Sequence, residues 1–588
     1  MLLYRLAYCL LWVGPCLGLP TISEQQKESE TATVVLPSAT ILGNVKNDVE
    51  SFGGIPYAEP PEGPLRLRPP KRLERHLGTF DGTGAAGACP QMILSTDNVD
   101  FLSEVLGSVA NLPFIQNVTG QKEDCLSITV ARPAGTKAGA KLPVLFWIYG
   151  GAFQVGSNFD LLRSSVLLIF SLQLGWSSMY DGTSLIKYGV EIGKPFIFVT
   201  VNYRVAGYGF MPGKEVMEDG VGNLGLLDQR MGLEWVADNI KAFGGDPEKV
   251  TIWGESAGAI SVATHMLLFD GDNTYKGKSL FRGGIMNSGT AIPTDPLDCP
   301  RAQAVYDQVV HTAGCADTDD SLNCLRELDF TSFHHAVTSV PGALSYRAVG
   351  LSYLPRPDGV VLTDSPDRLI KDRKYAAVPM IIGDQEDEGT MFALFQPNLT
   401  TTDSLAKYLS DYYFGHITIE QVFDFIGTYG KGVQAVVNGS PFGTGLLNEV
   451  FPGFKRRAAI LGDILFTLGR RLYLHSTSSS NPDVPSWSYL SSFDQGTPIL
   501  GTFHGSDILQ VFFGVYDNYA AKSIRAYFIN FLYDLDPNDD DDIYPEWPQW
   551  ASGKQLAHFF ADKSKLLDDN FRSDSYEWLA ENAESLRY

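Results

Sequence analysis

The sequence is poor in cysteine and lacks the usual spacings of metal ligands. Seven cysteines occur in 588 residues, no two of them stand as C-x-x-C, and the nine histidines form no H-E-x-x-H. Zinc sites depend on such spacings, so the sequence predicts no bound metal ion. A run of acidic residues at 534–542 is interpreted as a solvated loop rather than a calcium site.

Basic residues and long apolar runs are also scarce. Lys and Arg number 45 against 68 Asp and Glu, which gives a net charge of −23. Phosphate groups would repel such a chain, so a nucleic-acid partner is not expected. No stretch reaches the roughly 20 apolar residues that a membrane helix needs, so no transmembrane segment is expected either. Hydrophobic residues, at 44%, still suffice for a large core.

The first 18 residues have the pattern of a secretory signal peptide. Arg5 precedes an apolar run at 6–13, and small residues near Gly18 offer a cleavage site after that glycine. The sequence thus predicts a secreted, extracellular protein. Cleavage removes two of the cysteines and leaves an odd number, so one thiol is expected to be unpaired. Sequons for N-glycosylation stand at Asn117, Asn398 and Asn438.

Residues 250–263, V-T-I-W-G-E-S-A-G-A-I-S-V-A, contain the strongest functional motif. A β-rich run meets G-x-S-x-G, and a helical pattern of small residues follows. This context predicts a strained turn that exposes the Oγ of Ser256 above a sheet, where it can act as a nucleophile. Gly254 and Gly258 are needed because a Cβ at either position would clash with the neighbouring strand and helix. The alternative is an ordinary glycine-rich turn with an idle serine.

Strands and helices alternate before this motif. Residues 34–42 and 195–201 are predicted strands and 224–240 a helix, so a mostly parallel sheet is expected. The glycine-rich turn 149–153, Y-G-G-A-F, follows another predicted strand. Its backbone N–H groups could face an oxyanion that develops during acyl transfer.

A serine nucleophile requires an acid and a histidine downstream. A predicted strand at 380–382 leads into a segment with four carboxylates, among which spacing alone does not choose: Asp384, Glu386, Asp387 and Glu388. His504 follows a strand-like run and precedes a glycine, which suits a loop over the sheet edge. His558 is a weaker candidate because residues 555–562 have a helical pattern.

An amphipathic pattern lies between Cys89 and Cys125. Apolar residues recur at helical spacing over 101–109, and polar residues take the opposite face. The segment can be a packed surface helix, or a lid that covers an apolar site and opens against lipid.

The chain resembles the type-B carboxylesterase/lipase family of α/β-hydrolases from about residue 34 to its end. The resemblance rests on long blocks that include N-Y-R-V-A-G-Y-G-F at 202–210, G-N-L-G-L-L-D-Q-R at 222–230 and F-G-G-D-P-E-K-V-T-I-W-G-E-S-A-G at 243–258. S-Y-L-P-R-P-D-G at 352–359 and L-G-T-F-H at 500–504 are most similar to the secreted fungal lipases and sterol esterases. The resemblance implies one α/β-hydrolase domain over residues 19–588, with a lid loop at 89–125.

The family's functional residues transfer to positions that match its motifs. The resemblance implies Ser256 as nucleophile, Glu388 as acid and His504 as general base. It places the oxyanion donors on the N–H groups of Gly151, Ala152 and Ala257, although relatives often have glycine where this chain has Ala152. It pairs Cys89 with Cys125 and Cys315 with Cys324, and it leaves Cys299 free.

These assignments predict a secreted serine hydrolase that needs no cofactor and cleaves lipid esters, as a triacylglycerol lipase or a sterol esterase. A carboxylesterase for small soluble esters is the alternative. A non-catalytic adhesion or scaffold protein is a third hypothesis, which an intact set of Ser256, Glu388 and His504 disfavours.

The segment at 158–176 departs from the family. It interposes about 20 residues, including the apolar run 166–170, between Ser157 and a family-like stretch that resumes at Ser177. Joining Ser157 to Ser177 gives a smooth family-like sequence, as expected if an unspliced intron had been translated in frame. The other interpretation is a second loop that contacts lipid.

Overall fold

The computed structural model describes residues 31–84, 86–92, 121–155, 180, 182–512, 517–539 and 543–588. Several predicted features lie outside these residues: the signal peptide at 1–18, the amphipathic segment at 101–109, the sequon at Asn117, the insertion at 158–176 and the end of the acidic run.

A large sheet forms the centre of the molecule. Thirteen strands of the described residues make this sheet, and two short strands, β9 and β10, pair separately. The strands are β1 (Thr31–Leu36), β2 (Ala39–Lys46), β3 (Val49–Pro56), β4 (Gly78–Asp81), β5 (Ser127–Pro133), β6 (Leu142–Ile148), β7 (Ile197–Val201), β8 (Gly245–Glu255), β9 (Thr274–Tyr275), β10 (Lys278–Ser279), β11 (Gly283–Asn287), β12 (Met380–Gln385), β13 (Ser486–Ser491), β14 (Gln555–Phe559) and β15 (Ser564–Asp568).

The middle of the sheet is parallel, as predicted. The order is β1-β2-β3-β5-β7-β6-β8-β11-β12-β13-β14-β15, with β4 beside β2. All neighbours from β7 to β14 in this order pair in parallel, and the outer strands pair mostly antiparallel. Parallel strands are buried on both faces, so their sequences are continuously apolar rather than alternating. The carboxyl ends of β8, β12 and β13 consequently lie at one edge of the sheet.

Helices cover the sheet and connect its strands. They are α1 (Thr183–Glu191), α2 (Ala206–Gly209), α3 (Lys214–Glu218), α4 (Leu224–Asn239), α5 (Ala257–His265), α6 (Leu268–Gly271), α7 (Pro300–Thr312), α8 (Ser321–Glu327), α9 (Phe330–Val337), α10 (Pro366–Lys371), α11 (Thr402–Tyr412), α12 (Ile419–Thr428), α13 (Val433–Val437), α14 (Phe454–Gly462), α15 (Leu468–Ser480), α16 (Ser506–Val511), α17 (Tyr519–Asp534), α18 (Trp550–Gly553) and α19 (Ser573–Glu581).

Aromatic side chains fill the core beneath the carboxyl ends of β6 and β8. The rings of Trp147 and Trp253 meet edge to face at 4.6 Å, and Phe512 stacks on Trp253 at 4.8 Å. The indole N–H of Trp253 donates to Asn287 on the next strand, at 3.1 Å. Such large buried rings contribute both apolar area and favourable ring geometry, and they give β8 a rigid support.

Two local predictions were wrong. Residues 34–42 form a hairpin between β1 and β2 rather than one strand, because Pro37 and Ser38 make a turn. Residues 555–559 form strand β14 rather than a helix. The segment is a strand because it pairs with β13 and β15, and the local residue pattern did not indicate this pairing.

The structure contains both disulfides that the family resemblance implied. Cys89 is bonded to Cys125 and Cys315 to Cys324, while Cys299 is free and half-buried. The first bond joins two chain segments that are themselves well buried, at the base of the loop between them.

Candidate active site

Ser256 occupies a strained turn between β8 and α5. Its φ and ψ are 55° and −123°, a conformation that non-glycine residues rarely adopt. The flanking glycines are sterically required, as predicted: a Cβ on Gly254 would lie 2.3 Å from the carbonyl carbon of Gly258, and one on Gly258 would lie 2.1 Å from the carbonyl oxygen of Ile148. The Ser256 N–H donates to the Asn287 carbonyl, which ties the turn to β11.

The ring of His504 stands between Ser256 and Glu388. Its Nε2 lies 2.8 Å from Ser256 Oγ, and its Nδ1 lies 2.5 Å from Glu388 Oε2. Phe466 and Phe392 pack against the ring with centroids at 4.5 and 5.3 Å. The structure therefore brings together Ser256, Glu388 and His504, the three residues that the family resemblance implied, from the segments that follow β8, β12 and β13.

Geometry distinguishes Glu388 from the three carboxylates that compete with it in sequence. Glu388 is buried, and its second oxygen accepts a hydrogen bond from the Gln385 N–H at 2.7 Å. The others have different partners: Asp384 binds Arg470, Glu386 accepts from Gln495, and Asp387 accepts from Ser440 Oγ and from the N–H groups of Phe442 and Thr502. Only Glu388, among these four, contacts His504.

His558, the weaker histidine candidate, lies elsewhere. It belongs to β14, and its Nε2 is 2.6 Å from Ser492 Oγ. Burial lowers the pKa of His558 to about 4, so the ring is neutral and serves as a core hydrogen-bonding group.

The glycine-rich turn after β6 lies directly against Ser256. A Cβ on Gly150 would approach the Ser256 Cβ to 2.9 Å, so only glycine permits this contact. Gly151 and Ala152 both have positive φ, of 106° and 56°. Ala152 thus adopts the left-handed conformation despite its methyl group. Ala257 is the first residue of α5, where backbone N–H groups have no partner within the helix.

Two further carboxyl groups, those of Glu255 and Asp507, act electrostatically on His504, and the sequence pointed to neither of them. Glu255 Oε1 lies 3.5 Å from His504 Nε2, and Asp507 accepts from the Asn287 side chain at 2.8 Å. The signal that could have found them was their position in the sequence: Glu255 directly precedes Ser256, and Asp507 stands three residues after His504.

These carboxyl groups shift one another's protonation. Burial by itself lowers the pKa of His504, but Glu388, Glu255 and Asp507 together outweigh burial and raise that pKa to about 9. Burial raises the pKa of Glu255 to about 8 and that of Asp507 to about 6, and nearby carboxylates add to both increases. The site therefore holds a strongly basic imidazole beside a serine hydroxyl.

Other predicted features concern the surface and possible ligands. Asn398 and Asn438 are exposed, so both described sequons are accessible to glycosylation. Within the described ranges, no three His, Cys, Asp or Glu side chains cluster as metal ligands do. No helix in that part of the chain is long and apolar enough to cross a membrane.

The sheet, its connecting helices and the serine turn at its edge define the class of α/β-hydrolases. Solved structures agree with this assignment: EstA of Aspergillus niger matches with a TM-score of 0.76 and 24% identity, over 95% of this chain and 99% of that one. The carboxylesterase family matches residues 30–578, and the chain belongs to this family of ester hydrolases.

Two relatives are similar over nearly their whole length. The chain is 57% identical to the secreted triacylglycerol lipase LIP1 of Gibberella zeae, over 96% of this chain and 92% of that protein. It is 51% identical to secreted lipase 1 of Botryotinia fuckeliana, over 96% of this chain and 94% of that protein. The resemblance noted from the sequence motifs, to the secreted fungal lipases of this family, is confirmed.

Proposed function

We propose that the protein is a secreted lipase that uses Ser256 as nucleophile, His504 as general base and Glu388 as the acid that orients the histidine. The observation that carries this proposal is the position of one buried imidazole ring, whose two nitrogens contact Ser256 Oγ at 2.8 Å and Glu388 Oε2 at 2.5 Å. Both distances are within hydrogen-bonding range, as proton transfer requires.

The reaction proceeds in two halves. When Ser256 Oγ attacks the ester carbonyl carbon, His504 Nε2 accepts the serine proton and then gives it to the departing alcohol. The ring becomes positively charged during the attack, and the carboxylate of Glu388 stabilises that charge. In the second half His504 takes a proton from water as that water attacks the acyl-enzyme, and the ring then returns the proton to Ser256 Oγ as the carboxylic acid departs.

The N–H groups of Gly151, Ala152 and Ala257 would stabilise the negative oxygen of each tetrahedral intermediate. Two observations support this assignment: the turn at 150–152 touches Ser256, and Ala257 begins the helix that follows it. Donors fixed in place before the reaction need no reorganisation, and loss of one costs about 10²–10³-fold in kcat in other hydrolases.

Lipid esters are the proposed substrates, and the extracellular medium the proposed location. The names of both relatives describe secreted lipases, and the N-terminal 18 residues have the pattern of a signal peptide. The substrate would be met at an oil–water interface. The lid predicted between Cys89 and Cys125 belongs to this proposal, but its amphipathic segment lies outside the described residues.

A panel of esters tests the function. We expect hydrolysis of triolein or cholesteryl oleate emulsions, and a rise in the rate on an ester once its concentration exceeds its solubility limit. Turnover confined to short, dissolved p-nitrophenyl esters would assign the protein to the carboxylesterases of small substrates instead. Failure to react with an organophosphonate would indicate a non-catalytic relative.

A further inference from the structure

Exposed aliphatic side chains are concentrated in one segment of the described chain. Five of them fall between residues 433 and 450, and we call them the aliphatic surface. Its members and their exposed fractions are Val433 (68%), Val437 (39%), Leu446 (64%), Leu447 (72%) and Val450 (41%). Scattered single exposed residues are ordinary, but five in one short segment indicate a surface that another apolar body covers.

The local sequence turns these side chains outward. Helix α13 (Val433–Val437) follows Gly432, which has a φ of 55°, and it buries only Ala435. The valines at its two ends are therefore left on the outside. Leu446 and Leu447 follow Gly445, which also has a positive φ, of 59°. The backbone thus presents two pairs of aliphatic side chains next to tight turns.

Hydrogen bonds to Lys455 connect the parts of the segment that carries the aliphatic surface. Its carbonyl oxygen accepts from the Ser440 N–H, and its Nζ donates to Thr444 Oγ1 and to the Gly445 carbonyl at 2.6 and 2.8 Å. Its N–H donates to Glu449 Oε2 at 2.8 Å. The helix and the leucine turn are therefore parts of one hydrogen-bonded unit rather than separate loops.

The same unit is fixed to the active-site edge of the sheet. Asp387, one residue before Glu388, accepts from Ser440 Oγ and the Phe442 N–H on one oxygen, and from the Thr502 N–H on the other. Asn448 accepts from the Ile499 N–H at 3.1 Å. Residues 499–504 form the loop that ends at His504. The aliphatic surface is thus built on the segments that position the catalytic acid and base.

The charge of the segment limits what can cover it. In a chain with a net charge of −23, residues 433–454 contain one charged side chain, Glu449. Its two carboxylate oxygens accept from the N–H groups of Gly453 and Lys455. The segment therefore has no free charge that a charged or strongly polar partner could bind. An apolar partner does not need such a charge.

We infer that the aliphatic surface rests on the apolar surface of a lipid ester droplet, and so places the active-site edge against the substrate. This inference depends on the proposed lipase function for its biological meaning. The contact itself can be measured without turnover, so the two proposals can fail separately.

The test is adsorption of the Ser256→Ala protein, with and without Leu446→Ser and Leu447→Ser, to triolein droplets. Removing two exposed leucines from the contact should lower the adsorption constant by on the order of tenfold to a hundredfold. Val360→Ser is the matched control, because Val360 is 63% exposed but lies outside the segment, and it should leave adsorption unchanged. Equal adsorption of the double variant, or an equal loss in the control, would overturn the inference.

Activity measurements distinguish a loss of lipid contact from damage to the fold. With Ser256 intact, the double variant should lose about tenfold on a triolein emulsion and stay within twofold of the parent on dissolved p-nitrophenyl butyrate. An equal loss on both substrates would indicate structural damage and contradict the inference. If the parent adsorbs through this surface yet hydrolyses no lipid ester, the lipase proposal fails while the contact stands.

The experiments also test two other groups that could cover the aliphatic surface: a second copy of the chain and a glycan. If light scattering finds a dimer of the parent that the double variant converts to a monomer, a second copy of the chain covers the surface and the inference is wrong. A glycan on the exposed Asn438 could shield Val437. Adsorption seen only in Asn438→Gln would also overturn the inference for the natural protein.

Discussion

Glu255 Oε1 lies 3.5 Å from His504 Nε2, the same nitrogen that contacts Ser256 Oγ. The imidazole therefore has a carboxyl group near each of its nitrogens, because Glu388 occupies the other side at 2.5 Å. Each of these carboxyl groups favours the protonated ring when it is itself ionised. A general base that is already protonated cannot accept the serine proton, so this arrangement ties activity to pH.

We expect kcat/KM to rise with pH through the pKa of His504, near 9. Below that value the free enzyme holds a protonated ring, and the rate should fall about tenfold per pH unit. Glu255→Gln removes a charge beside Nε2 and so lowers the pKa of the ring. The pH at which kcat/KM rises should therefore fall by about one unit. Glu386→Gln is the control, since Glu386 contacts Gln495 rather than the ring. If the rise in kcat/KM occurs at the same pH in Glu255→Gln as in the parent, this account of the base is contradicted.

Replacing Glu388 should cost far more than replacing its neighbour. Glu388→Gln leaves His504 Nδ1 without a carboxylate, and we expect a loss on the order of 10⁴-fold in kcat, as in other triads. Asp387→Asn keeps that contact but exchanges an acceptor of three hydrogen bonds for an amide. We expect about a tenfold loss and a lower melting temperature. The reverse ranking, measured on one soluble ester, would move the acid to Asp387.

The proposed triad could be predicted from the sequence only in part. G-E-S-A-G at 254–258 specified Ser256 because its steric requirements are local, and the contacts of both glycines agree. The acid was different: four carboxylates lie within residues 384–388, at the end of β12 and directly after it, and only the turn that follows the strand decides which one points at His504. The family resemblance selected Glu388, and the hydrogen bonds place that residue at the ring.

The remaining misses have different physical origins. The helical pattern predicted around His558 was wrong because long-range pairing with β13 and β15 makes residues 555–559 a strand. Glu255 approaches His504 through tertiary packing, because the two residues are far apart in sequence, whereas Asp507 stands only three residues after His504 and no motif marked it. The hairpin at residues 34–42 depended on a two-residue turn containing Pro37, which an apolar run on both sides concealed.

The lid prediction rests on the sequence pattern, since its residues lie outside those described. Charged substitutions at Leu102 and Leu106 should impair hydrolysis of a triolein emulsion and spare dissolved short esters, because the apolar face would no longer favour opening onto lipid. The measurement is the ratio of the two rates. Equal losses on both substrates would point to destabilisation of the fold instead.

The segment at 158–176 also stays a prediction. If it is a translated intron, the secreted protein contains a peptide that joins Ser157 directly to Ser177, and that junction should appear in a proteolytic peptide map. Peptides that cover residues 161–176 would refute this interpretation and favour a genuine second lipid-contacting loop.

The central claim is that Ser256 is the nucleophile, and covalent labelling tests it most directly. An organophosphonate should inactivate the enzyme at one equivalent per chain, and mass spectrometry should place the adduct on the peptide that contains Ser256. The Ser256→Ala protein should fold, resist labelling and lose on the order of 10⁶-fold in kcat. Labelling at another residue, or substantial ester turnover by pure Ser256→Ala protein, would contradict the account.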